Sequence, residues 1–156
     1  MRFAAALLFA ALVAALVGCG SSDDSTPVAC LEGAGTYERA LKAAPDEVLL
    51  EDETLISECL TRNQTGGDLA RVGEAMLETA TALNAEAREN PGGDAAVQLG
   101  YLLGAIEHGS EGSEGIHSDL VRRLTVAARF APGKQPLSPN FLAAYREGFE
   151  AGRSDG

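Results

Sequence analysis

The 156-residue chain contains no tryptophan, and aromatic residues make up only 5% of it, which leaves little material for a sugar-stacking platform. Cations are scarce: 12 Lys and Arg stand against 23 Asp and Glu, for a net charge of −11. A chain so acidic has no basic footprint for nucleic acid. Nor does it carry the charge that would hold it on an anionic membrane. Histidine occurs twice and cysteine three times, with no Cys-x-x-Cys, so the closely spaced thiols of redox and zinc sites are missing. Ser57, Ser110, Ser113, Ser118 and Ser138 lack the Gly-x-Ser-x-Gly turn that exposes a nucleophile. The glycine pairs at 66–67 and 92–93 are not followed by Lys-Ser/Thr, and they read as turns, not phosphate cradles. Carboxylates are abundant, but among 23 of them proximity is expected by chance and a solvated surface accounts for them. The length suits one domain.

One long apolar run is present. Residues 3–17 follow the single charge of Arg2 without a polar side chain. As a helix they reach about 22 Å, short of the roughly 30 Å hydrocarbon core of a bilayer. A short apolar run ending at small residues fits an export signal better than a permanent span. Its end, Leu16-Val17-Gly18-Cys19, resembles the lipobox of bacterial lipoproteins. The resemblance implies a diacylglycerol on the Cys19 sulfur, cleavage before Cys19, and a lipid anchor on the extracytoplasmic face of the cell membrane. It covers residues 1–19 and no family is identified for the rest. Gly20 stands where the family's inner-membrane retention signal has Asp. The 27 Ala, 18 Gly and 10 Arg against 2 Lys resemble the bias of GC-rich actinobacterial genomes. The resulting division is a signal peptide at 1–18, a lipidated Cys19 with a polar tether at 19–29, and a single helical domain at 30–156.

With Cys19 committed to lipid, Cys30 and Cys59 remain as an even pair in an oxidising compartment, where disulfides persist. Their bond would close a loop of about 30 residues, worth roughly 3 kcal/mol in the chain-entropy account.

The body reads as all-α, a small bundle of about four main helices with an irregular N-terminal segment pinned by the disulfide. Residues 37–44 suggest two helical turns stopped by Pro45, and 56–62 a further turn carrying Cys59. Val48-Leu49-Leu50 is too brief to classify by periodicity. Asp68 reads as the cap of a helix whose apolar face is Leu69, Val72, Met76, Leu83 and Ala87. Asp94 reads as the next cap, opening a helix over 95–107 that is apolar all round and therefore buried all round. Within it Gly100 and Gly104 invite another helix to close approach. The Gly-Ser-Glu repeat at 109–115 reads as a flexible acidic loop. A helix over 117–130 follows, with Ile116, Leu120, Leu124 and Ala127 inward and Arg122, Arg123 and Arg129 outward, and with Ser118 as a capping residue. Ser138-Pro139 starts the last helix, whose stripe is Phe141, Leu142, Tyr145 and Phe149. Nothing in the pattern asks for a sheet.

Two places invite chemistry. His108, Glu111, Glu114 and His117 bracket the glycine loop, and two imidazoles with a carboxylate can hold a divalent metal. The plainer reading is that both histidines are solvated at the loop ends. Arg122, Arg123 and Arg129 form the one basic face, suited to a partner's carboxylate or phosphate; local pairing with Glu is the plainer account. Phe141, Tyr145 and Phe149 read as core, unless exposure makes them a docking patch. The chain therefore reads as a lipid-anchored envelope lipoprotein without cofactor or catalytic constellation, a non-enzymatic module for another envelope protein. The alternative is a metal- or small-ligand-binding lipoprotein using the His108/His117 loop.

Overall fold

The computed structural model describes residues 25–113 and 115–156. The lipobox, Cys19, residues 20–24 of the tether and Glu114 lie outside the described residues. Five α-helices carry the fold: α1 (Ala34–Ala40), α2 (Gly66–Glu89), α3 (Asp94–Ser110), α4 (Ser118–Ala128) and α5 (Pro139–Asp155). Among the described residues no helix is long and apolar enough to cross a membrane.

The centre of the fold is α3. Ala95, Leu99, Tyr101, Leu102, Leu103 and Ile106 point around its whole circumference, and all are buried. Helix α5 lies against it almost backbone to backbone. Gly100 and Gly104 face Gly148 and Gly152, and a Cβ added at any of the four would fall 1.9–2.2 Å from a carbonyl oxygen of the opposing helix. Only glycine permits that approach, so two Gly-x-x-x-Gly pairs interlock. On its other sides α3 meets α2, α4 and the turn that carries Cys59.

The N-terminal segment is held to itself by two contacts and to α3 by a third. The Cys30 and Cys59 sulfurs lie at disulfide distance, with Cα atoms 5.5 Å apart. The buried Tyr37 hydroxyl donates to the Cys30 carbonyl at 2.9 Å, and the Tyr101 hydroxyl accepts the Val48 N–H at 3.1 Å. These bonds satisfy backbone groups that an irregular segment would otherwise bury unpaired. Helix α1 runs into a tighter 3-10 turn, Leu41–Ala43, before Pro45, as the sequence predicts.

Several local expectations need correction. A minimal antiparallel ladder joins β1 (Leu49–Leu50) to β2 (Thr54–Leu55), because the acidic turn between them folds the chain back on itself. Glu51 and Asp52 adopt positive φ in that turn. Asp68 is not the cap of α2. The helix starts earlier, at Gly66, and the Thr65 hydroxyl oxygen accepts the Asp68 N–H at 3.1 Å while donating to its carboxylate at 3.0 Å. This reciprocal cap offsets the helix penalty of two glycines, about 1 kcal/mol each. Gly93 precedes α3, and Asp94 is its first residue, placed to favour the helix dipole. Ser118 lies inside α4, with His117 in the cap position. Ile116 is exposed, and Ala128 is buried in the α4 stripe with Leu120 and Leu124. Ser138 does cap α5, accepting the Phe141 N–H.

Candidate functional site

The two histidines part company. His108 is exposed in the last turn of α3, whereas His117 is fully buried. A solvated loop end therefore does not describe His117. Its Nε2 is 2.9 Å from Gln64 Oε1, and the Gln64 amide nitrogen donates to the Thr26 hydroxyl at 3.0 Å and to the Cys59 carbonyl at 2.8 Å. Because the amide nitrogen is committed as a donor, Oε1 must accept, and Nε2 carries the proton. Nδ1 is buried without a partner among the described residues. Burial holds the imidazole below its ordinary range. Gln64 thus ties the α3–α4 connection to the disulfide and to the start of the folded chain. The described residues of that connection form successive hydrogen-bonded turns and bury Ser113, so it is more ordered than its Gly-Ser-Glu repeat suggests.

Glu111 points elsewhere: Arg153 of α5 pairs with it and with Glu107, the latter at 3.0 Å. Glu114 lies outside the described residues. Among the described residues, no three His, Cys, Asp or Glu side chains gather as a metal ion needs.

The basic face lies on α4. Arg122 pairs with Asp119 one turn back, an exposed pair of small energetic weight. Arg123 and Arg129 are exposed and have no ion-pair partner among the described residues. Between α4 and α2 runs a shallow apolar groove of about 480 Å³ lined by Leu77, Arg88, Arg122, Arg123, Val126 and Phe130, among others. Val126 is 63% and Phe130 61% exposed, unusual for large apolar side chains side by side with cations. The end of α4 is anchored there. The Phe130 carbonyl accepts from Asn84 Nδ2 at 2.9 Å and from Arg88 Nε at 2.7 Å, which satisfies an orphan carbonyl past the helix end.

On the other side of α4 lies a second groove, between α4 and α5 and floored by α3. It holds about 530 Å³. Its α5 wall is the aromatic stripe. Phe141 and Tyr145 stack at 6.2 Å between ring centroids, and Tyr145 and Phe149 at 6.0 Å. Phe141 is buried, while Tyr145 and Phe149 are half-buried. The reason is geometric. Four residues advance a helix by about 400°, so each ring sits about 40° further round than the last. The glycines hold the face against α3, and the rings turn progressively out of the interface into the groove. Burial pushes the Tyr145 phenol upward; Arg129 opposes this and Glu107 adds to it.

The sequence reading missed this groove. The signal was a second Gly-x-x-x-Gly, Gly148 and Gly152, which reserves the α3-facing side of α5 for backbone and displaces the aromatic stripe. No protein-family model, curated protein or solved structure matches the chain.

Proposed function

We propose that the chain is a lipid-anchored lipoprotein of the cell envelope whose folded part is a non-enzymatic docking module for another envelope protein. The observation that carries this reading is the outward face of α4. Arg122 and Arg123 border the exposed Val126 and Phe130 on a chain of net charge −11. A basic, apolar strip on an acidic chain selects a partner segment of the opposite kind: carboxylates flanking apolar side chains. Arg and aromatic residues are the types that carry most binding energy at protein interfaces. The lipobox resemblance supports the compartment, and the polar residues between Cys19 and the buried Thr26, where the folded chain begins, would serve as the tether to the membrane.

The test is in-cell cross-linking of the tagged full chain followed by mass spectrometry. One dominant envelope protein that disappears with Arg122→Glu/Arg123→Glu supports the reading. A cross-linked set unchanged by that reversal, or no reproducible partner, overturns it.

A further inference from the structure

We infer that the groove between α4 and α5 is a binding site for a single long-chain fatty acid, its alkyl chain lying along Leu103, Val121, Leu137 and Phe141 and its carboxylate held by Arg129 and Arg146. The groove is separate from the α4–α2 face and the inference does not depend on the docking role.

Size comes first. At about 530 Å³ the groove falls within the usual range for small-ligand sites. An α-helix about 10 Å across fills roughly 420 Å³ per turn, so the groove admits barely more than one turn of a partner helix. The same space holds about 18 waters at roughly 30 Å³ each. That matches one extended chain of a similar number of heavy atoms. Lining comes next. Leu103 is buried at the floor, Val121 and Leu137 are half-buried, and the stacked rings of α5 form a continuous apolar wall. Such a surface favours taking each methylene of an alkyl chain out of water.

Charge then selects the head group. Arg129 and Arg146 line the groove, and neither has an ion-pair partner among the described residues. The third charge there, Glu107, is already paired with Arg153. Two uncommitted guanidiniums at the rim of an apolar trough are complementary to a carboxylate on an alkyl chain. The Tyr145 hydroxyl, within electrostatic reach of Arg129, adds a donor on the same wall.

The experiment uses the full chain in phosphatidylcholine nanodiscs and diazirine-bearing palmitate, with the cross-linked peptides mapped by mass spectrometry. The inference expects labelling on the α4 and α5 peptides that line the groove, displaced by palmitate and not by methyl palmitate. Arg129→Glu/Arg146→Glu, whose sites are exposed, should lower that labelling about tenfold or more, the scale of a lost charge-assisted contact. Thr125→Trp, which fills the groove and keeps both arginines, should lower it likewise, and Arg122→Glu/Arg123→Glu should leave it unchanged. Labelling that survives the reversal at 129 and 146 would overturn the inference, as would equal displacement by the methyl ester. Labelling abolished in discs of phosphatidylglycerol would instead assign the groove to a membrane lipid, and labelling scattered over the surface would leave no site at all.

Discussion

His117 is the residue on which burial and titration meet. Its neutral Nε2–H tautomer satisfies Gln64, while protonation would place a second N–H at Nδ1, buried and without an acceptor among the described residues. The imidazole is therefore held below its ordinary value near 6.5 in the folded chain. A base whose proton affinity is lower when folded binds more protons when unfolded, so the stability it confers is full above about pH 6.5 and declines as the pH falls below it. Urea denaturation across pH 8 to 5 should show that decline, and His117→Leu should remove the part that sets in near pH 6.5. The variant should also cost about 1–3 kcal/mol at pH 8, since Gln64 Oε1 loses its donor. A wild-type profile that parallels the variant's would refute the assignment. The sequence shows a histidine near a helix start and nothing more, because its hydrogen-bond partner, Gln64, lies 53 positions away.

At the scale of elements, the α3–α5 contact decides the shape. Gly148→Ala would bring a Cβ to 1.9 Å from the Val97 carbonyl oxygen and push the helices apart. Overpacking of this kind costs about 1–3 kcal/mol or more. Gly66→Ala at the exposed start of α2 meets nothing within 4 Å, and should be neutral or stabilise by up to about 1 kcal/mol. Thermal melts of the two variants should therefore move apart, with Gly148→Ala melting several degrees lower. Both melting alike would contradict the interlocked glycines. The four long helices and the close approach at Gly100 and Gly104 were legible in the sequence, as was the Cys30–Cys59 pairing, because apolar period and residue type carry those signals. Caps were legible only where the motif was local, at Ser138-Pro139. The start of α2 was not, since two glycines argue against helix until Thr65 and Asp68 are seen to cap it reciprocally. The β1–β2 ladder escaped because two residues per strand carry no period.

Across the whole molecule, the proposed function needs both an anchor at Cys19 and a docking face on α4. If Cys19 carries the lipid, Cys19→Ala should leave an unprocessed precursor or release the chain from membranes on fractionation; a processed form retained as before would contradict the anchor. The candidate chemistry was only partly legible at this scale. Arg122, Arg123 and Arg129 were identified as one basic face from spacing alone. Their division between two grooves was not, because it depends on which neighbour, α2 or α5, flanks each side of α4. The measurement that tests the docking claim most directly places a photo-activatable phenylalanine analogue at position 126, and in a parallel chain at position 150 on α5, in living cells. The account predicts that position 126 captures one envelope protein, that the capture is lost with Arg122→Glu/Arg123→Glu, and that position 150 does not capture it. Equal capture from both positions, or capture indifferent to the charge reversal, would contradict a docking face on α4.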